Sequence, residues 1–229
     1  MNYFYSNNIK ENQLFLENQE KIHCINSLRN KIGDTVNVVD GRGNLYECKI
    51  IKIMEATCKL NILRVKNFSQ DTKVHIMIAP TKNHKRIDWM VEKLVEIGVY
   101  RISFLKCQNS IRREINLSRL EKIALSAMKQ TQNYFLPIID DCIDFYDSFE
   151  LVDSDGKYIA HLHSNSLNSL VENLKKNSKK CILIGPEGDF TVDEINYALK
   201  LNFSEISLGK NRLRTETAGI VSATILNNL

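Results

Sequence analysis

Two segments near the C-terminal end of this chain each combine an apolar strand, a glycine-containing loop and polar side chains that could do chemistry. They run from Cys181 to Ile195, CILIGPEGDFTVDEI, and from Glu205 to Ile220, EISLGKNRLRTETAGI. In open α/β proteins, ligands bind just beyond the carboxyl ends of the parallel strands. Two such strand ends, separated by one short helix, therefore predict one shared ligand site.

The first loop is GPEG, Gly185–Gly188. Glycine lets the backbone approach a ligand closely, and proline sets a turn. Such a loop can offer bare N–H and C=O groups to the edge of an adenine, although a plain strand-to-helix turn could have the same residues. Thr191 and Glu194 have the spacing of a capping box for the following helix. Neither GxGxxG nor GxxxxGK[ST] occurs, so the physical parts of a nicotinamide or P-loop site are missing.

In the second loop, Arg214 is the residue whose presence is hardest to explain by packing alone. A guanidinium at the strand ends can hold planar anionic oxygens, and Arg212 lies two residues before it. Thr215 can cap the last helix, and Glu216 sits where the helix dipole favours an anion. Arginine does not lose its proton in proteins, so the proton acceptor of any reaction here would be Glu216 or water.

The two C-terminal segments together resemble the motifs of a known protein family. GPEGDF, followed by LGKNRLRTETA, resembles the last two motifs of the ribosomal RNA small subunit methyltransferase E family, which belongs to the SPOUT class of knotted RNA methyltransferases. HCINSLRNKIGD (His23–Asp34) and DGRG (Asp40–Gly43) are similar to the family's entry into its small RNA-binding domain. The resemblance covers nearly the whole chain. It departs from the family pattern at Asp189, where a second glycine is usual.

The resemblance implies an S-adenosylmethionine-dependent enzyme that methylates N3 of a uridine near the 3′ end of 16S rRNA, in the decoding region and within the 30S subunit. The catalytic residues would be Arg214 and Arg212, with Glu216 as a possible base. A cation would stabilise the charge that develops on the uridine carbonyl oxygens when the imide proton leaves. The alternatives are another SPOUT methyltransferase, acting on a tRNA base or ribose, and a non-catalytic RNA-binding protein.

The resemblance also assigns binding residues. AHLHS closes a third strand end, where the family's first cofactor motif lies, and its backbone is a better candidate for cofactor contact than the imidazole of His161 or His163. The predicted cofactor-binding residues are Leu162, His163, Ile184, Gly185, Pro186, Glu187, Gly188, Leu208, Gly209, Leu213, Arg214, Thr215, Thr217 and Ala218. The predicted RNA-binding residues are Arg29, Lys82, Lys85, Arg86, Arg112 and Arg113. His23 is expected to be structural.

Composition excludes several classes of protein. Of the 229 residues, 43% are hydrophobic, and no apolar run is long enough to span a membrane. The first residues lack the apolar region of a secretory signal, so a cytoplasmic protein is expected. Six cysteines are scattered without a CxxC pair, which argues against a zinc site and a disulfide framework and favours buried, reduced thiols with no metal.

Charge is unevenly distributed along the chain. Residues 82–129 carry eleven Lys/Arg and five Asp/Glu, whereas residues 140–155 carry seven acids and no basic residue. Such asymmetry is typical of a protein with a polyanionic partner on one face. A solvated helix surface would give the same pattern, and charge alone does not separate the two.

The elements that must position these residues fall into two groups. Residues 1–72 are β-rich, with strands at VNVVD, LYECKIIKI and CKLNILRV and a turn at DGRG. One helix interrupts them, with Ile22, Ile25 and Leu28 at threefold spacing. The resemblance implies that this part is a small PUA-like β-barrel domain that binds RNA.

From Val74 the pattern becomes α/β. VHIMIAP, RISFLK, YIAHLH, CILIG and EISLG are apolar strands that alternate with helices. The first helix, HKRIDWMVEKLVEIGV, has one apolar face, and a Ser118–Glu121 capping box should open the next. The inward residues of these two helices are predicted to be Ile87, Met90, Val91, Leu94, Val95, Leu120, Ile123, Ala124, Ala127 and Met128. Repeated βα units predict a parallel sheet covered on both faces, with the SPOUT methyltransferase domain over residues 73–229.

Two further expectations concern the C-terminal region. Threaded chains are rare, so the trefoil knot expected over roughly residues 160–229 comes from the resemblance alone. The last helix, TETAGIVSATILNNL, is apolar on more than one face, which predicts burial on both sides and hence a homodimer.

Overall fold

The structure is a computed structural model, and it describes residues 3–162 and 179–228. Contacts within the chain divide it into two compact units. The first comprises Met1–Gln70 and Leu125–Leu136, and the second comprises Asp71–Ala124 and Pro137–Leu229. The units are not contiguous in sequence, and the expected domain boundary between residues 72 and 73 stays a prediction.

The first unit is built on a six-stranded sheet. Its strands are β1 (Tyr3–Tyr5), β2 (Ile9–Lys10), β3 (Gln13–Glu17), β4 (Thr35–Val39), β5 (Asn44–Ile53) and β6 (Thr57–Asn67), in the order β1-β4-β5-β6-β3-β2. All pairs are antiparallel except β1 with β4. The three predicted strands are confirmed. Leu14, Leu16, Val38, Ile50 and Leu60 are fully buried in the core of this unit.

The DGRG turn between β4 and β5 needs glycine at its last position. Gly43 has φ +95°, a conformation that side chains disfavour, and a Cβ there would lie 2.6 Å from the carbonyl oxygen of Phe68 and 2.7 Å from the Phe135 ring. Phe135 forms an isolated β-bridge with Arg42. The turn therefore packs against Leu125–Leu136, the later segment that belongs to the same unit.

The predicted helix of the first unit exists, but the residues at threefold spacing do not form one buried face. Helix α1 (Asn18–Ile22) continues as a π-helical turn, His23–Ser27. Ile22 and Leu28 are exposed, and Cys24 is the fully buried residue. A π turn is wider than an α turn. The threefold spacing therefore no longer identifies one face.

The second unit contains the predicted parallel sheet. Its strands are β7 (Lys73–Ile78), β8 (Arg101–Lys106), β9 (Ile138–Asp144), β10 (Gly156–Ala160), β11 (Lys179–Ile184) and β12 (Ser204–Ile206), in the order β12-β10-β11-β7-β8-β9. Every pair is parallel. Strand β9, at one edge, was not predicted; its acidic residues obscured the apolar pattern expected of a strand.

Among the described residues, four longer helices lie between or after these strands along the chain, and the second of them is divided between the two units. They are α2 (His84–Ile97), α3 (Leu117–Gln130), α4 (Val192–Lys200) and α5 (Thr215–Asn228). The predicted inward face of α2 is confirmed in full, and that of α3 is buried except for Ile123, which is half-buried. The capping box of α4 is confirmed. The box predicted for α3 is wrong, because the Asn116 side chain accepts the backbone N–H of Arg119 at 3.1 Å instead.

The last helix is held tightly to the sheet. A Cβ added to Gly219 would lie 2.9 Å from Cδ1 of Ile78, so helix and strand touch closely there. Lys180 on β11 is buried and donates from Nζ to the carbonyl oxygen of Leu226 at 2.8 Å, at the end of the helix where a cation is favoured. These contacts fix the helix whose first turn reaches the candidate site. The trefoil knot stays a prediction.

Candidate functional site

Three neighbouring strand ends of the second unit share one cavity. Ala160 at the end of β10 is the register partner of both Ile184 on β11 and Ile206 on β12, so the three loops that follow start side by side. The cavity has a volume of about 560 Å³. It lies at the carboxyl edge of a parallel sheet, where such folds bind ligands.

Most of the predicted cofactor-binding residues line this cavity. Those that do are Leu162, Ile184, Gly185, Pro186, Glu187, Leu208, Gly209, Leu213, Arg214, Thr215 and Ala218. Gly188 and Thr217 are outside the lining; Gly188 faces Asn109, whose Cβ would be 3.2 Å from an added Cβ. His163 lies outside the described residues. All three predicted catalytic residues, Arg212, Arg214 and Glu216, also line the cavity.

Asp189 joins two of the loops. Its backbone has φ +62°, in the left-handed region, where aspartate is one of the better tolerated residues. Its carboxylate accepts the backbone N–H of Leu162 and that of Phe190, each at 2.8 Å. Aspartate thus adopts the conformation that a glycine would favour and adds a hydrogen bond to the loop after β10.

Thr215 joins the loop after β11 to the last helix. Its hydroxyl donates to the carbonyl oxygen of Gly185 at 3.1 Å. The expectation that Thr215 caps the helix is wrong, because Thr215 is already its first helical residue and the Arg214 carbonyl accepts the N–H of Ala218 at 2.8 Å. Arg214 is therefore the residue at the N-terminal boundary of the helix.

Three arginines face the cavity, and their surroundings differ. Arg86 lies 3.6 Å from the Glu216 carboxylate, measured from Nε to Oε1, and Glu216 is buried in the first turn of α5. Arg212 donates to the carbonyl oxygen of Glu187 at 3.1 Å. Arg214 is exposed and makes no side-chain hydrogen bond or ion pair within the part of the chain that the structure describes. Arg214 is thus the guanidinium available to a ligand.

Two buried acceptors at the cavity have no partner among the described residues. They are Nδ1 of His161 and Oε2 of Glu187. The other polar atom of each side chain is used: His161 Nε2 lies 2.9 Å from Glu205 Oε1, and Glu187 Oε1 accepts the backbone N–H of Lys82 at 2.9 Å. Buried polar atoms are rarely left unpaired, so the cavity fits a ligand that brings N–H or O–H donors.

The predicted RNA-binding arginines are largely occupied within the protein. Arg112 donates to the carbonyl oxygens of Thr81 and Lys82, the shortest contact being 2.8 Å, and Arg113 donates to carbonyls of its own loop at 3.3 and 3.4 Å. Lys82 and Lys85 are exposed. Arg29, in the first unit, is exposed and has φ +57°. Within the described residues, Lys82, Lys85 and Arg29 therefore have the exposure expected of phosphate contacts.

The loop after β8 also supports the site, and its residues were not among those predicted from the sequence. Gln108 donates its backbone N–H to the buried Glu194 carboxylate at 2.8 Å, and Asn109 donates from its side chain to the carbonyl oxygens of Gly188 and Asp189. These bonds support the GPEG loop from outside the cavity. No local signal marks them, because the partners are about 80 residues apart along the chain.

The described residues lack two features. They contain no group of three or more His, Cys, Asp or Glu side chains placed to hold a metal ion. Within them, no helix has the length and apolar character that crossing a membrane requires.

Two family models match this chain, and they meet near the end of the β-rich first part. Residues 69–227 match the model of the RNA methyltransferase domain, and residues 16–63 match that of the RNA methyltransferase PUA domain, which confirms the predicted PUA-like part. Ribosomal RNA small subunit methyltransferase E of Buchnera aphidicola is 31% identical over 229 residues, covering 95% of this chain and 89% of the relative. The corresponding protein of Mesomycoplasma hyopneumoniae is 29% identical, covering 96% of each.

Solved structures show the same fold. A probable rRNA-methyltransferase from Porphyromonas gingivalis has a TM-score of 0.87 and 34% identity, with 97% of this chain and 95% of that chain covered. The ribosomal RNA small subunit methyltransferase E from Neisseria gonorrhoeae, solved with bound S-adenosyl methionine, has a TM-score of 0.84 and 23% identity, with the same coverage. Together with the parallel sheet and the PUA match, these neighbours confirm the expected SPOUT-type α/β fold.

Proposed function

This chain belongs to the ribosomal RNA small subunit methyltransferase E family, and we propose that it transfers a methyl group from S-adenosylmethionine to N3 of a uridine near the 3′ end of 16S rRNA. The observation that carries the proposal is the cavity at the three strand ends. It brings together the two C-terminal motifs, the exposed Arg214 guanidinium and two buried polar atoms that have no partner within residues 3–162 and 179–228.

The residues present fit S-adenosylmethionine. The molecule has hydrogen-bond donors on its adenosine and on its amino-acid part, and Glu187 and His161 offer acceptors. Leu208 and Leu213 supply apolar walls, and Gly185 and Pro186 supply backbone. When bound, this cofactor supplies an electrophilic methyl group on a sulfonium centre. The protein must then chiefly align donor and acceptor.

Arg214 is the residue that we assign to the chemical step. Loss of the imide proton makes N3 of uridine nucleophilic and puts negative charge on the flanking carbonyl oxygens. A preorganised cation at those oxygens stabilises the transition state. Arg212 is held by the Glu187 carbonyl and Arg86 by Glu216, so they shape the cavity while Arg214 meets the substrate.

The proton passes to water in this proposal. Glu216 is the carboxylate predicted as a possible base, but it is buried against the guanidinium of Arg86 and lies at a helix N-terminus. The ion pair engages this carboxylate within the protein, so the proposal does not use it as the base. Its role is to position Arg86.

In this proposal the protein binds RNA through phosphate contacts, which fix its position on the RNA but do not distinguish one base sequence from another. Lys82 and Lys85 are exposed in the segment after β7, and the backbone N–H of Lys82 is bonded to the cavity residue Glu187. Arg112 is bonded to the Lys82 carbonyl in the segment that presents these lysines, whereas Arg113 is bonded to carbonyls of its own loop. The first unit, with its PUA-like sheet and exposed Arg29, provides the second RNA-binding surface of the proposal.

The assembly in this proposal is a homodimer that acts in the cytoplasm on the 30S subunit. Ile220, Val221 and Ile225 of the last helix remain half-buried, which supports a further partner for that helix. A helix apolar on more than one face is buried on both sides in its working state.

Nucleoside mass spectrometry of rRNA, from cells with and without this protein, tests the proposal. We expect 3-methyluridine to disappear from the 16S 3′ region in its absence and to return with the wild-type gene but not with Arg214→Ala. A different missing nucleoside, in tRNA for example, would instead identify another RNA methyltransferase. No change in any RNA would identify a binding protein without activity.

A further inference from the structure

His161 is buried at the end of β10, beside the cavity and next to an apolar strand end. Its side chain is 2% exposed. The adjoining Ala160 is paired in register with Ile206 of β12, and Leu162 follows it in the chain. His161 lines the cavity, and its Nδ1 has no partner among the described residues.

The partner of the other ring nitrogen determines what Nδ1 offers. His161 Nε2 lies 2.9 Å from Oε1 of Glu205, and a carboxylate only accepts hydrogen bonds. In a neutral ring Nε2 therefore carries the proton, and Nδ1 presents a lone pair. A ring protonated at both nitrogens would present an N–H at Nδ1 instead. The neutral ring therefore prefers a ligand donor, and the protonated ring prefers a ligand acceptor.

We infer that His161 is a specificity determinant for the cofactor: Nδ1 accepts a hydrogen bond from an N–H or O–H donor of the adenosine part. Glu205 is the positioning residue, because it holds the ring in the accepting tautomer. Ala160 and Ile206 line the same cavity, and their apolar side chains suit a nucleoside better than the charged amino-acid end. The inference rests on the proposed function, since it assumes that the cavity takes S-adenosylmethionine.

The adenosine part has three groups that can donate: the exocyclic amine and the 2′- and 3′-hydroxyls. The experiment is calorimetric titration of the full chain with S-adenosylhomocysteine and with three analogues that each lack one of these donors. The variants are His161→Gln, which can still reach Glu205 but has no atom at the Nδ1 position, and His161→Asn, which keeps an amide near that position. Thermal unfolding of both variants checks that they fold.

We expect wild-type protein to bind one analogue about tenfold more weakly than S-adenosylhomocysteine, as the loss of one buried hydrogen bond predicts. His161→Gln should bind S-adenosylhomocysteine about tenfold more weakly and should not distinguish it from that analogue. His161→Asn should keep most of the affinity and the discrimination. If His161→Gln does not fold, Glu205→Leu, which frees the tautomer, should reduce the same discrimination.

Two results would overturn the inference while leaving the proposed cofactor in place. One is wild-type protein that binds S-adenosylhomocysteine and all three analogues equally. The other is a His161→Gln variant that discriminates among them as the wild type does. A wild-type protein that binds no S-adenosylhomocysteine would contradict the proposed cofactor itself, and the inference with it.

Discussion

The carboxylate of Asp189 accepts the backbone N–H of Leu162 at 2.8 Å, and this bond joins the loop after β11 to the loop after β10. The two residues are 27 positions apart, and both loops line the cavity. In the proposed function both loops supply backbone groups to the cofactor, and this bond sets the position of one loop relative to the other.

Replacing Asp189 should therefore weaken cofactor binding. Asp189→Gly tolerates the φ of +62° but loses the bond to Leu162, and a hydrogen bond to a charged acceptor contributes about 1.5–3 kcal/mol. We expect at least a tenfold loss of affinity for S-adenosylhomocysteine by calorimetry. Asp189→Asn keeps an accepting oxygen and should lose less. Equal affinities for the two variants would mean that the bond does not order the loops.

Arg214→Ala should abolish methyl transfer and leave cofactor binding largely intact. The cofactor carries its own positive sulfonium, so the arginine helps only when the uridine imide becomes anionic. Such interactions affect turnover rather than binding. Loss of one preorganised donor typically costs about 10²–10³ in rate.

Single-turnover assays on 30S subunits, with parallel cofactor titration, measure both quantities for Arg214→Ala. Arg212→Ala is the matched control, because that guanidinium is already bonded to the Glu187 carbonyl, and its rate should fall less. If Arg214→Ala instead loses cofactor affinity and keeps its rate at saturation, the residue belongs to the cofactor pocket.

RNA binding should depend steeply on salt, and the exposed lysines should carry more of that dependence than the bonded arginines. Each phosphate contact contributes roughly 0.7–0.9 to the slope of log affinity against log salt. The double change Lys82→Ala with Lys85→Ala should reduce the slope. Arg112→Ala removes the bonds to the carbonyl oxygens of Thr81 and Lys82 and so loosens the segment that carries Lys82. RNA binding should weaken for that reason, with little change in the slope. The opposite pattern, measured by fluorescence anisotropy at several salt concentrations, would make Arg112 the phosphate contact.

Stability should fall between pH 6.5 and pH 4 because of His75. Burial and the positive charge of Arg101 lower the pKa of His75 from 6.5 to about 4. The negative charge of Asp140 acts in the opposite direction but is the smallest of the three effects. In that window the unfolded chain binds the proton and the folded chain does not, so the free energy of unfolding decreases as pH falls. The full difference is about 3 kcal/mol.

Urea unfolding at several pH values measures this effect. His75→Gln, which can keep a bond to Ser103, should flatten the curve in that window. Asp140 should not contribute between pH 6.5 and pH 4. Burial raises its pKa, but hydrogen bonds from Arg101 and Ser103 lower the pKa below 3.8 overall. The stabilising effect of this carboxylate is therefore lost only at lower pH. A variant whose stability still falls as in the wild type would assign the effect to another group.

The last helix should mediate a homodimer. Val221 is half-buried, whereas Thr224 on the same helix is exposed. A charge placed in an apolar interface is costly, so Val221→Glu should shift sedimentation toward a monomer, while Thr224→Glu should not. A wild-type protein that stays monomeric at micromolar concentration would remove the dimer from the proposed function.

The local sequence pattern was sufficient to predict much of the fold. The buried face of α2 and the Thr191–Glu194 capping box depend on residues three or four positions apart, and sequence spacing shows such relations directly. The apolar strands of the second unit were predictable for the same reason, since a buried parallel strand is recognised from its own composition. The two C-terminal motifs could be assigned to one site because parallel strands end at one edge.

The tertiary structure alone decided how the site residues are used. Arg112 and Arg214 are both arginines in loops, yet one is bonded to carbonyls about 30 residues away and the other is unoccupied among the described residues. The accepting nitrogen of His161 depends on Glu205, 44 residues further on. Strand β9 and the π turn were also missed, because pairing and burial outweigh local preference there. Such contacts join distant parts of the chain, and no spacing within a single sequence records which polar group will find which partner.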